Sequence, residues 1–267
     1  MLSHIREHTI GSSISGMFRV YFQNFMMIYL TCLIPVLPFY LVRIVVIMYE
    51  VSNEQTLTIV ATVNFILGIF GGLVAIGAGT LVISNLLIGR KVSIAGIYKQ
   101  VLSSLFFKLF VTELLQWLVV IVLVVITTPI LVTVWLALPN IVTMVGWLIF
   151  VTPCLIAMVW LMFSSTVTVL EGVWGVEALK RSKNLGSNKH LRNFGVILIV
   201  MLVTTIPVLI LLMSSNLVSP SVVSRVEFQI IFNLFTQLLA PIPLISVVLL
   251  YYDLRIRKES YNLQAPV

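Results

Sequence analysis

Residues 109–136 read LFVTELLQWLVVIVLVVITTPILVTVWL, with Glu113 the one charged side chain in the stretch. A hydrocarbon core about 30 Å thick needs about 20 consecutive apolar residues in a helix, so this run is long enough to cross it. Five more runs of comparable length lie at 25–48, 57–88, 141–169, 194–217 and 228–252. Hydrophobic residues make up 60% of the 267, charged residues 9%, and the mean hydropathy is +1.14. A water-soluble domain carries about 25% charge, so this chain has too little to cover a wet surface. Backbone satisfaction in lipid allows helices or closed barrels, and unbroken rather than alternating runs select helices. The expected fold is all-α, a polytopic membrane protein of six transmembrane helices forming one integral domain over residues 1–267.

The second run carries Gly68, Gly71, Gly72, Gly77 and Gly79. Two full spans would need about 40 residues and a turn, so one span is expected there rather than a re-entrant pair. Charge tests the count. With six spans, fourteen of the sixteen basic residues fall on one side, leaving only Arg225 opposite and Arg43 inside the first span. The positive-inside rule makes that side cytoplasmic. Both termini of the multi-pass chain are then cytoplasmic. The outer loops, YEVSNEQT, LPN and SSNLVSPSVVSRVE, are short and nearly uncharged. Residues 1–24 form a polar, amphipathic lead-in with no small-residue cleavage site after the first run, so that run is expected to stay as a span.

The net charge of +7 reads as orientation against anionic inner-leaflet lipid rather than as nucleic-acid binding. It concentrates in EGVWGVEALKRSKNLGSNKHLRNF, residues 171–194. On a helical wheel Trp174, Ala178, Leu179, Ser182 and Leu185 share a face opposite Glu177, Lys180, Arg181, Lys183 and Asn184. Trp174, Lys180, Arg181 and Lys183 make the most accessible surface for lipid or a partner. SIAGIYKQVLSSL (93–105) and IGSSISGMFRVYFQN (10–24) are amphipathic in the same way. The three stretches begin near 10, 94 and 175, each before a pair of runs whose first member holds proline (Pro35 and Pro38, Pro129, Pro207). That pattern predicts three copies of an interfacial helix plus hairpin, with units 1–88, 89–170 and 171–267.

Charges inside spans raise functional questions because burying one costs about 2.5–3.5 kcal/mol. Arg43 is expected to snorkel outward or meet Glu50. Glu113, one turn into its span and near Gln116, is expected to pair with Lys108, with a buried polar contact between spans or a proton-linked site as the competing readings. Glu171 closes the fourth run and is suited to hold arginine, lysine or backbone donors where the chain bends. Asp253, with Arg255, Arg257, Lys258 and Glu259, charges the end of the sixth run beside Tyr251 and Tyr252, which read as interfacial aromatics. Prolines at 129, 153, 207, 241 and 243 free backbone carbonyls. Cys32 and Cys154 read as buried apolar side chains. His4, His8 and His190 lack metal-ligand spacing, and no phosphate loop, nucleophile elbow or zinc-protease motif occurs. No catalytic residue, metal or cofactor is expected.

Two stretches resemble a known family. EGVWGVEALKRSKNLGSNKHLRNFGVILIV and LLYYDLRIRKESYNL are similar to bacterial six-span proteins related to the membrane domain of glycerophosphoryl diester phosphodiesterase, a group that includes the YciC-like proteins. The matching positions are Glu171, Gly172, Ala178, Leu179, Arg181, Ser182, Leu185, Asp253, Arg255, Arg257 and Glu259. Lys183 stands where an aromatic is usual, and Ser260 and Asn262 where Gly and Asp are usual. The resemblance implies the six-span fold and no hydrolase, because the phosphodiesterase domain is absent. The expected function is a non-enzymatic accessory, scaffold or assembly partner, self-associating or binding another membrane protein. The alternative is a transporter or permease-like subunit with a polar path among the second-run glycines, Asn64 and Glu113. A weaker third reading is lipid or peptide binding.

Overall fold

The computed structural model describes residues 10–48, 53–137, 152–153, 155–187, 190–216 and 226–259. In chain order the elements are α1 (Ile10–Gln23), α2 (Phe25–Met48), α3 (Glu54–Ile88), α4 (Ile94–Gln100), a π turn (Val101–Leu105), α5 (Phe106–Ala137), α6 (Ser164–Glu171), α7 (Val176–Gly186), α8 (His190–Asn216), α9 (Val226–Leu239) and α10 (Pro241–Glu259). No strand occurs among the described residues. Five helical stretches are long and apolar enough to cross a membrane: Phe25–Val46, Glu54–Ile88, Ile94–Pro129, Leu191–Met213 and Ile230–Glu259. A sixth is available if Leu155–Glu171 and Val176–Gly186, bent by 114°, are taken together. The chain is an all-helical, membrane-embedded protein. The first part of the fourth expected run, residues 141–151, lies outside the described residues, as do Cys154, Arg225 and Glu50.

The chain forms two compact units, Met1–Phe106 with Gly195–Val267, and Phe107–Phe194. In the larger, α2 and α3 make an antiparallel hairpin, α9 packs on α2, and α10 packs on α1 and α3. The glycines of the second run permit close packing. A Cβ at Gly71 would stand 2.5 Å from the Pro35 carbonyl oxygen, and one at Gly79 2.5 Å from Leu244 Cδ2. The run is one unbroken helix of 35 residues. Asn53 starts it by accepting from the Gln55 N–H at 2.9 Å, and Gly89 ends it at φ 79°, a left-handed geometry that glycine adopts without a Cβ clash.

In the smaller unit α6 packs on α7. The helix leading into α6 is interrupted by a turn at 162–163. Gly172 (φ 73°) and Gly175 (φ 67°) then turn the chain into α7.

All three amphipathic stretches are helical, but they are not built alike. Residues 94–105 were expected to lie apart from the following span; instead the π turn carries α4 into α5. The sequence between them contains neither Gly nor Pro to stop a helix, and Ser104 Oγ bonds back to the Gln100 carbonyl at 2.9 Å, a local bond that helices accommodate by bending.

Candidate functional site

The most elaborately bonded part of the smaller unit is the elbow between α6 and α7. Arg181 donates from Nε and Nη2 to the two carboxylate oxygens of Glu171, at 2.9 and 3.2 Å. This fork-on-carboxylate geometry ties the middle of α7 to the end of α6. One residue along, Ser182 Oγ donates to the Trp160 carbonyl at 2.6 Å and accepts the Phe163 N–H at 3.1 Å. A buried hydroxyl thereby satisfies two backbone groups at the 162–163 break, which low-dielectric surroundings would otherwise penalise. Ala178, Ser182 and Leu185 are all buried on the same side of α7.

The four residues expected to present a common surface therefore divide. Lys180 is exposed, whereas Arg181 turns inward to Glu171. The Lys183 ammonium lies 4.3 Å from the centroid of the Trp160 ring, a cation–π contact. Trp174 is about half-exposed and meets Phe107, ring centroids 6.2 Å apart. It does not belong to the α7 wheel, because Gly175 breaks the helical backbone before Val176.

A polar seam joins α5 to α6 beneath this elbow. Thr112 Oγ1 lies 3.1 Å from Thr168 Oγ1 and accepts the Gly175 N–H at 2.9 Å. Ser165 donates to the Glu113 carboxylate, and Ser164 donates to the Gln116 side-chain oxygen. Lys108 Nζ points to the Gly172 carbonyl at 3.5 Å. The expected Lys108–Glu113 pair is not formed. Five residues on a helix subtend about 140°, which puts the two side chains on different faces, while Lys108, Thr112 and Gln116 share one at four-residue intervals. That interval, with Ser164 and Thr168 answering it on α6, is the sequence signal that would have exposed the seam.

The larger unit repeats the hydroxyl device twice. Tyr98 on α4 donates to the Thr31 carbonyl at 2.8 Å. Pro35, four residues on, has no N–H to give that carbonyl. Tyr21 on α1 donates to the Leu238 carbonyl at 2.6 Å, in the last turn of α9 just ahead of Pro241. α4 and α1 thus each key into a membrane-length stretch through one hydroxyl on one backbone oxygen.

At the end of α10, Asp253 is 3% exposed and accepts from Arg257 Nε at 2.9 Å. Arg255 bonds Glu259 at 3.0 Å and the Tyr251 hydroxyl at 3.1 Å. Tyr251 and Tyr252, expected at an interface, are 0% and 3% exposed. They are core residues, with the Tyr252 hydroxyl 2.6 Å from Ser84 Oγ on α3. Arg43 is exposed on α2. Asn64 sits in the larger unit and Glu113 in the smaller.

No group of three His, Cys, Asp or Glu suited to a metal occurs among the described residues. No family model, curated protein or solved structure matches the chain.

Proposed function

We propose that this chain is a six-span, non-enzymatic protein of a bacterial inner membrane, both termini cytoplasmic, serving a membrane process as an accessory, scaffold or assembly partner. The sequence supports that role through its lack of a catalytic motif, its short outer loops and its organised basic side, and the three amphipathic helices would be copies of one interfacial element. The observation that carries it is the braced elbow. An 11-residue amphipathic helix, bent 114° from the helix before it, is held by an ion pair and a two-way serine. Its outer side leaves Trp174, Val176, Glu177 and Lys180 exposed. Bracing of this kind presents a surface at a fixed angle, which suits binding of anionic head groups or of a neighbouring chain. A photo-crosslinker at Lys180 in native membranes is expected to capture the same partner, or a second copy, reproducibly. Glu171→Ala should reduce that capture by releasing the elbow. Absence of any adduct, or an adduct insensitive to Glu171→Ala, refutes the reading.

The transporter reading draws on the Glu113 seam, a polar cluster inside an apolar stretch. It loses support from the second-run glycines: Gly68, Gly71 and Gly79 meet Phe39, Pro35 and Leu244 and so are filled by packing. Solute flux in proteoliposomes that Glu113→Ala abolishes would restore it.

A further inference from the structure

Among the acidic side chains whose placement the structure describes, Glu113 stands apart. Glu171 is held by Arg181, Asp253 by Arg257 and Glu259 by Arg255, while Glu54 and Glu177 are exposed. Glu113 differs in both respects: it lies within an apolar membrane-length helix, Ile94–Pro129, and its recorded partner is the neutral hydroxyl of Ser165. The charged groups of α5, α6 and α7 are committed elsewhere or face outward. Lys108 on α5 turns to the Gly172 carbonyl. On α6 Glu171 is paired, and on α7 Arg181 holds it, Lys183 covers Trp160, and Glu177 and Lys180 are exposed. Burying an ionised carboxylate within an apolar helix is costly unless a counter-charge pairs with it. A hydroxyl neighbour can serve both of its forms, since an ionised carboxylate only accepts hydrogen bonds whereas the acid also donates one.

We propose that Glu113 is a reversible proton-binding site, read by the elbow through Ser165. The ligand is a single proton taken from water onto a carboxylate oxygen, with no other bond made or broken. The position of the contact gives it leverage. Ser164 and Ser165 are the first two residues of α6, immediately after the 162–163 break. From α5 the break is held by Gln116 and Glu113, and from α7 by Ser182. Adding a proton converts an acceptor-only group on Ser165 into one that also donates, so this bond can reverse its direction and shift the hydrogen bonds that hold the first turn of α6. The inference is independent of the scaffold role, because it concerns how the elbow is set and not what docks on it.

The test is infrared difference spectroscopy between acidic and alkaline buffer on the full chain in lipid nanodiscs. A carbonyl band of an un-ionised carboxyl is expected in the wild type, absent from Glu113→Gln and shifted in Ser165→Ala. Glu113→Asp, which keeps the group but moves it, should displace the band rather than remove it, and covers the case in which Glu113→Gln fails to fold. A spin-label pair placed across the elbow should report a pH-dependent distance in the wild type that is constant in Glu113→Gln. Identical carboxyl spectra in wild type and Glu113→Gln, or a titration that moves with sodium concentration at constant pH, overturn the proposal.

Discussion

Replacing Tyr98 by phenylalanine removes one oxygen and leaves the ring in place, so it isolates the 2.8 Å bond to the Thr31 carbonyl. Thr31 is 0% exposed, so no water is at hand to take over. An unsatisfied buried carbonyl costs about 1–3 kcal/mol, whereas hydrogen bonds measured between membrane helices average about 0.6 kcal/mol. We expect about 2 kcal/mol, near the top of the bracket, because Pro35 has removed the partner the carbonyl would have within its own helix. That is roughly a thirtyfold change in the folding equilibrium. Pro35→Ala supplies the missing N–H at the right position, so Tyr98→Phe made in that background should cost less than about 0.5 kcal/mol, the scale on which independent sites add. Reversible unfolding in mixed micelles, run as a double-mutant cycle, measures both. Equal costs of Tyr98→Phe in the two backgrounds would refute the claim that the tyrosine substitutes for the helix's own bond.

Ser182→Ala strips partners from both the Trp160 carbonyl and the Phe163 amide and should cost about 2–4 kcal/mol; hydrogen exchange at the Phe163 amide should quicken more than elsewhere in α6. Gly71→Ala drives a Cβ against the Pro35 backbone and should destabilise by about 1–3 kcal/mol. Gly72→Ala, which meets nothing within 4 Å, should be neutral or stabilise by up to about 1 kcal/mol through helix propensity; thermal unfolding separates the two. Burial, and to a lesser degree Tyr29, raise the Tyr21 phenol above its ordinary 10.0. The protonated phenol is the form the fold favours, so its contribution is complete below pH 10.0 and is lost as the pH climbs through the raised value. The stability gap between wild type and Tyr21→Phe should therefore close in strong alkali, followed by unfolding at stepped pH.

Helix positions were legible wherever one periodicity dominated. The amphipathic stretches expected near 10, 94 and 175 begin as helices at Ile10, Ile94 and Val176, and the glycine-rich run is continuous, with Gly68, Gly71 and Gly79 set against packing partners. The junction after α4 was misjudged because amphipathicity fades over VLSSL without any residue that ends a helix. The polar braces were hidden for another reason. Ser165 and Glu113 stand 52 positions apart, and Tyr21 and Leu238 stand 217 apart, so no local pattern announces them. A lone serine or threonine in an apolar run also looks the same whether it bonds its own turn or a neighbour. Tyr251 and Tyr252 were misplaced because the charges beside them do not mark a wet surface: Asp253 is itself buried and Arg255 bonds the Tyr251 hydroxyl at 3.1 Å.

The length of α3 has a consequence for the lipid around it. Thirty-five residues extend about 52 Å, against a hydrocarbon thickness of about 30 Å. A lean of 40°, at the limit of observed tilts, absorbs only about 39 Å, so roughly nine residues stand clear of the oil. The N-terminal turns, with exposed Glu54, Gln55, Thr56 and Thr58 flanking Leu57 and Ile59, form the more polar of the two ends. A thicker bilayer would draw those leucine and isoleucine side chains inward and let the rod stand straighter; a thinner one would force it over.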